Sequence, residues 1–212
     1  MRLPETTLPA EIYYDKKGTQ EYIENSRIQQ LQYSLAERCI EISEKTEGVA
    51  LDIGCGPGTS SQALIENDFL TIGLDISKDM LDVFDGTKVL CDMGNGLPFL
   101  PGSFDLIISV SAVQWLFESY RKEDLPIKRI KKFFKDLYTI IKRDGKIVLQ
   151  FYCNPKQTEI LKKEALNAGF YGGLIIDGKS KNTKTYLLLQ CVKIRNENEE
   201  KEKRKDKFRN KK

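Results

Sequence analysis

The chain has 212 residues, 40% of them hydrophobic and 31% charged, enough for one domain with a sizeable core and no need of disulfide staples. Of its net charge of +3, the segment after position 194 supplies +4 and the rest −1, so the body is not globally basic and any nucleic-acid contact must be local. Histidine is absent, which removes serine–histidine and cysteine–histidine catalysis and histidine metal sites together.

Residues 1–18 hold prolines and little apolar repetition, and read as an extended N-terminal arm. Tyr22, Ile28, Leu31, Leu35, Cys39 and Ile42 recur at helical intervals, predicting an amphipathic helix over 19–44 with a break near Asn25-Ser26. The period then changes. GVALDIG (48–54) is a short apolar run ending in glycine, as in a buried parallel strand. A helix over TSSQALIEN (59–67) follows, then a strand in FLTIGLDIS (69–77), a short helix in SKDMLDVF (77–84), a strand in TKVLCDM (87–93) and a fourth strand inside SFDLIISVSAVQWL (103–116).

LPIKRIKKFFKDLYTIIKRDG (125–145) predicts a helix. Ile127, Ile130, Phe134, Leu137 and Ile141 form its apolar stripe, and Lys128, Lys131, Lys132 and Lys135 face elsewhere. DGKIVLQFYC (144–153) is a fifth strand and EILKKEALNAGF (159–170) a helix. GGLIIDG (172–178) and TYLLLQCVKI (185–194) are two strands around a polar segment. Strand and helix alternate with short joins. The expected fold is an α/β, Rossmann-like, mostly parallel seven-stranded sheet over residues 19–194, with helices on both faces and a C-terminal antiparallel hairpin. Residues 195–212 are charge-dense and nearly free of apolar residues, which predicts a disordered tail, or a helical extension at most.

Chemistry concentrates at the strand ends. LDIGCGPG (51–58) is a strand, glycine-rich turn and helix start, where backbone approaches a nucleotide closely. By itself it fits a dinucleotide site or an empty turn equally well. Its spacing is G-x-G-x-G rather than G-x-G-x-x-G, no Lys-Ser/Thr follows, and Asp52 precedes Gly54 by two residues. S-adenosylmethionine carries an ammonium and a sulfonium but no phosphate, so an acidic neighbour suits it.

Asp75 ends the second strand and can accept both ribose hydroxyls, a feature shared with NAD sites. Asp92 ends the third and can accept the adenine amine, with Met93 and Ile76 sandwiching the ring. Gly54, Gly56 and Gly58 of the turn belong to the same expected site. The crevice beyond successive strand ends is where such sheets bind ligands. Ser109-Val110-Ser111-Ala112-Val113-Gln114-Trp115 follows the fourth strand and faces the sulfonium end. Trp115, the only tryptophan, is either a wall for a flat substrate or a core anchor.

Cys39, Cys55, Cys91, Cys153 and Cys191 form no C-x-x-C pair and are odd in number, as in a reduced intracellular protein, and no metal site is expected. The start, MRLPETTLPAEIYY, lacks the apolar core of a secretory signal, and no apolar run approaches the roughly 20 residues of a membrane helix.

LPAEIYYD, YIENSRIQQLQ, LDIGCGPG, CDMGNGLPF, GSFDLIISVSAVQWL, LQFY and AGFYGGLIID together resemble the eukaryotic small-subunit (18S) rRNA guanine-N7 methyltransferases of ribosome biogenesis, over about Leu8 to Val192. DMGNGLPF and SAVQWL are the most specific of these. The joins around Asp85-Gly86 and the C-terminal region are shorter than is usual in that family. The resemblance implies transfer of a methyl group from S-adenosylmethionine to N7 of one rRNA guanosine, nucleolar and cytoplasmic work on pre-ribosomes, and a small zinc-binding activator subunit as heterodimer partner. It also implies that Gly54, Cys55, Gly56, Asp75, Ile76, Met80, Asp92, Met93 and Ser109 line the cofactor site and that Gln114 and Trp115 face the substrate.

A neutral guanine N7 has a free lone pair and needs no general base, in keeping with the lack of histidine, so no catalytic acid or base is expected. Tyr13 and Tyr14 either help Trp115 hold the guanine plane or clamp the arm to the domain. The strand holding Lys88, Val89, Leu90 and Cys91 lies at a sheet edge with weak charge protection. That invites strand addition by the partner, or the edge is covered by its own neighbours. Arg121, Lys122 and Lys128 to Lys135 are candidate phosphate contacts against the plain reading of a solvated face. Two rival functions are a small-molecule methyltransferase and a pre-ribosome assembly factor whose methylation is secondary.

Overall fold

The computed structural model describes residues 4–120, 125–179 and 183–193, and the charged tail lies outside them. Seven strands form one sheet: β1 (Gly48–Ile53), β2 (Phe69–Asp75), β3 (Thr87–Leu90), β4 (Phe104–Val110), β5 (Ile141–Phe151), β6 (Tyr171–Asp177) and β7 (Lys184–Gln190). Their order is β3-β2-β1-β4-β5-β7-β6, with β3 to β5 parallel and β7 antiparallel to both β5 and β6. The expected class I methyltransferase sheet, closed by a hairpin, is the one observed. Because the connection leaves β1 toward β2 on one side and returns to β4 on the other, a crevice opens at the carboxyl ends of β1 and β4.

The central strands are buried on both faces, which explains their unbroken apolar runs. One face is covered by α3 (Ser26–Ser43) and α4 (Thr59–Glu66), with Leu35, Cys39, Ala63 and Leu64 packed on Ala50, Leu106 and Ile108. The other face is covered by α6 (Pro126–Ile140) and α7 (Pro155–Asn167), with Ile130, Phe133, Phe134, Leu137 and Ile140 against Leu51, Ile107, Ile147 and Leu149.

Several boundaries differ from expectation. The arm is not extended. It coils through a 3₁₀ turn at Pro4–Thr6, a four-residue helix α1 (Ala10–Tyr13) and the start of α2 (Lys16–Glu24), whose N-cap Asp15 accepts from the Gly18 N–H at 2.8 Å. The break after α2 is made by Asn25, whose side chain accepts the Ile28 N–H at 3.1 Å and restarts the chain as α3. α6 ends at Ile140, and Ile141 already pairs with Phe104 as strand β5. The buried stripe of α6 therefore uses Phe133 and Ile140, while Ile127 is exposed. α7 begins at Pro155, earlier than its apolar pattern indicates, because Asn154 and Gln157 form a reciprocal capping box. Phe84 ends the short helix α5 (Lys78–Val83).

The ring of Phe84 holds the glycine turn against the sheet. A Cβ added at Gly58, Gly73 or Gly86 would meet that ring at 2.2, 2.6 and 2.7 Å respectively. Three glycines thus leave the space one phenyl ring fills. We expect Phe84→Ala to cost about 3–5 kcal/mol of unfolding free energy, read from the urea midpoint, because the surrounding backbone cannot collapse into the void.

Candidate functional site

β1 ends at Ile53, and the chain turns into α4 through Gly54, Gly56 and Gly58, whose φ values of +75°, +54° and +100° favour glycine. The turn is tied to the end of β2. The N–H groups of Gly54 and Cys55 donate to the Leu74 carbonyl at 2.7 and 3.1 Å. The N–H of Gly56 donates to Asp75 Oδ2, and that of Ser77 to Asp75 Oδ1, both at 2.8 Å. Burial pushes the Asp75 carboxyl up from its ordinary value, and these backbone donors pull against that.

Beside this turn lies a cavity of about 340 Å³, within the range that holds a small-molecule ligand. Of the expected cofactor residues, Gly54, Cys55, Gly56, Asp75, Ile76, Met80, Asp92 and Met93 line it together. Asp92 Oδ1 accepts the Gly94 N–H and a guanidinium N–H of Arg129, each at 2.8 Å. Arg129 reaches the cavity from α6, whose basic face the sequence reads as solvated or as meeting rRNA phosphates. The pairing spans 37 positions, and no local pattern announces it.

Asp52, Gly58 and Ser109 do not line the cavity. Period-two alternation puts Asp52 on the same face as Ala50, under α4, where its Oδ2 accepts the Ser60 and Ser61 hydroxyls at 2.6 and 2.7 Å. Asp52 is fully buried, and among the described residues Oδ1 has no donor. Desolvation therefore raises its carboxyl to about 6 despite the two hydroxyls. Gly58 caps α4 against Phe84. Ser109 is buried and donates to the Ile53 carbonyl at 2.8 Å, cross-linking β4 to β1.

Past β4 the chain turns at Ser111, a non-glycine residue with φ of +56°. Its N–H and hydroxyl both donate to Gln150 Oε1, at 3.0 and 2.9 Å, which holds the turn. Gln114 is also turned inward. It is buried, its amide donates to the Ser111 carbonyl at 2.9 Å, and it does not line the cavity. Trp115, on the 3₁₀ turn Val113–Phe117, does line it.

The arm folds over this end. Tyr14 lines the cavity with its ring centroid 6.0 Å from that of Trp115 and 5.8 Å from that of Tyr22. Tyr13 stacks obliquely at 6.3 Å from Trp115 on the outer, exposed side. Ser77 donates to the Tyr14 carbonyl at 2.7 Å, and Tyr120 donates to the carbonyl of Glu5. Burial pushes the Tyr14 and Tyr22 hydroxyls above their ordinary value, so both stay neutral. Tyr22, Gln32, Glu118 and Tyr120 are cavity residues that the sequence alone does not assign, while Ser111 lines it from the segment expected to face the sulfonium end.

At the sheet edge, Lys88 does not guard β3. Its ammonium folds back to the Leu81 and Phe84 carbonyls, at 2.7 and 2.6 Å, and closes the end of α5. Leu90 is exposed and Val89 half-buried. Cys91 lies beyond the strand, lines the cavity and contacts the Gly96 carbonyl through sulfur at 3.1 Å.

Comparison with known proteins bears on this geometry. A family model described as "Methyltransferase domain" matches residues 51–149, the segment holding the glycine turn, Asp75, Asp92 and Trp115. The 18S rRNA (guanine-N(7))-methyltransferase of Bos taurus is 42% identical over 199 residues, covering 89% of this chain and 71% of its own. The chain belongs to the 18S rRNA (guanine-N(7))-methyltransferase family. The family member of Schizosaccharomyces pombe is 40% identical and covers 89% of this chain and 74% of its own. Phosphoethanolamine N-methyltransferase 2 of Haemonchus contortus, solved with S-adenosyl-L-methionine, superposes with a TM-score of 0.64 at 16% identity, covering 91% of this chain and 61% of that one. That likeness is one of fold. The protein is an S-adenosylmethionine-dependent methyltransferase.

The buried Asp52 gives the family fold a pH signature. Its folded carboxyl holds a proton more tightly than the unfolded one, so the native state gains stability below about pH 4 and loses it as pH rises through about 6. The full difference is on the order of 3 kcal/mol. Asp52→Asn, which keeps an acceptor for Ser60 and Ser61, should flatten the dependence of the urea midpoint on pH across that window.

Proposed function

We propose that this chain transfers the methyl group of S-adenosylmethionine to N7 of a guanosine in 18S rRNA, within small-subunit assembly in the nucleolus and cytoplasm. The observation that carries this reading is identity above 40% across 89% of the chain to the cattle enzyme named for that reaction. The cavity supports it on chemical grounds.

The donor group fits the residues present. Asp75 accepts the Gly56 N–H on Oδ2 and the Ser77 N–H on Oδ1, with the Ile76 N–H also acting on the carboxylate, and its remaining acceptor capacity can take the ribose hydroxyls. Asp92 engages Arg129 and Gly94 through Oδ1, leaving Oδ2 to accept the adenine amine. Ile76 and Met93 line the cavity beside these carboxylates and can hold the ring between them. When bound, S-adenosylmethionine supplies an electrophilic methyl carbon on a sulfonium.

The residues around the acceptor position and enclose it. N7 of neutral guanine needs no proton removed, and the chain has no histidine to remove one. Trp115 and Tyr14 offer aromatic faces at the end of β4, and the arm limits access by water. Tyr13, outside the cavity, secures the arm against Trp115. The unguarded β3 edge fits strand addition by a partner, for which the family resemblance suggests the small zinc-binding activator subunit. The basic face of Lys128, Lys131, Lys132 and Lys135 is exposed on α6 and can meet rRNA phosphates, whereas Arg121 and Lys122 lie outside the described residues.

The test is labelled methyl transfer by the co-expressed complex to small-subunit rRNA, followed by chain cleavage at N7-methylguanosine. One mapped site is expected, and label found only in metabolites would overturn the assignment. In the same preparation Asp75→Ala should weaken cofactor binding at least about 100-fold by calorimetry, because two hydrogen bonds to a charged acceptor are together worth about 3–6 kcal/mol. Trp115→Ala should leave cofactor affinity within about twofold and slow transfer by about 5- to 100-fold, the scale of one lost base stack.

A further inference from the structure

Glu118 is the first residue after the 3₁₀ turn Val113–Phe117, and its N–H donates to the Trp115 carbonyl at 3.2 Å. Its half-buried carboxylate lines the same cavity as Trp115, Tyr14 and Tyr120. Among the described residues no group is seen to donate to it. Glu5, buried behind the cavity, adds a like charge. Desolvation and that charge push the Glu118 acid up from its ordinary value. A carboxylate held at such cost beside an aromatic wall gains most from a ligand that brings its own N–H donors.

We propose that Glu118 is the residue that selects guanine, accepting hydrogen bonds from N1–H and the exocyclic N2 amino group of the flipped base. This rests on the assignment of guanine N7 as acceptor. Those two donors lie on the Watson–Crick edge, across the ring system from N7. A base stacked on Trp115 with its far edge on Glu118 therefore directs N7 back toward the cofactor end of the cavity. Adenine presents a lone pair at N1, which the carboxylate repels, and hypoxanthine lacks the amino group.

The same contact favours the reaction itself. The N7 lone pair forms the new N–C bond while the S–C pair returns to sulfur, so positive charge passes from the sulfonium to the guanine ring. N1–H and N2–H become better donors as that charge develops. Their bonds to Glu118 strengthen on the way to the transition state, and the interaction raises kcat rather than only lowering KM. No proton has to move.

The isosteric variant Glu118→Gln in the co-expressed complex tests this, with S-adenosylhomocysteine bound and nucleoside monophosphates as probes. The wild type should bind 7-methylguanosine monophosphate about 10- to 100-fold more tightly than 7-methylinosine monophosphate, the worth of one hydrogen bond to a charged acceptor. The variant should discriminate by less than about threefold, with S-adenosylhomocysteine affinity unchanged. On small-subunit particles its kcat should fall by a similar factor at constant KM for the methyl donor. A variant that keeps the wild-type preference, or transfers at the wild-type rate, overturns the role of Glu118. A wild type indifferent to the 2-amino group overturns it too, while mapped transfer to rRNA judges the acceptor assignment separately.

Discussion

The site depends on a carboxylate that does two jobs at one strand end. Asp75 accepts the N–H groups of Gly56 and Ser77, and so joins the turn after β1 to the turn after β2. Without that link, three residues with positive φ would have no reason to keep one conformation, since glycine gives up the most backbone entropy on ordering. Phe84 supplies the apolar half of the same restraint by filling the space that Gly58, Gly73 and Gly86 leave open. The polar and apolar restraints both act on the loop that lines the cavity.

Asp52 and Asp75 sit at neighbouring strand ends, yet their environments separate their roles. Asp75 lines the cavity with backbone donors on both oxygens, whereas Asp52 is enclosed beneath α4 with two serine hydroxyls on one oxygen. Enclosure raises the Asp52 carboxyl to about 6, so near neutral pH the protein carries a buried charge beside its cofactor loop at a cost in stability. Local destabilisation of this kind is commonly concentrated at functional sites.

Much of this was legible in sequence because backbone-level features carry it. Glycine spacing, an acid closing a strand and strand–helix alternation depend on local chemistry, and they located the turn, Asp75 and Asp92. What stayed hidden depends on direction or distance. Asp52 and Ser109 stand at strand ends as expected, but alternation turns Asp52 under a helix, and Ser109 spends its hydroxyl on the Ile53 carbonyl. Arg129 meets Asp92 across 37 positions, and Tyr22 and Gln32 belong to helices whose register alone does not reveal a cavity. The arm was misread as extended because its helical pieces are too short to carry a period. α1 has four residues, and its fold comes from docking, through Ser77 to the Tyr14 carbonyl and through ring contacts to Trp115.

That docking ties the two ends of the cavity together. Ser77 donates its N–H to Asp75 and its hydroxyl to the Tyr14 carbonyl, so one residue touches both the Asp75 carboxylate and the docked arm. Tyr14 in turn leans on Trp115, whose carbonyl fixes the N–H of Glu118. A continuous chain of contacts therefore runs from Asp75 to the aromatic wall at Trp115. Ordering at either end lowers the entropy left to lose at the other. A reaction that needs no proton transfer can rely on such ordering, because placing N7 in line with the methyl carbon is the main thing the protein has to do.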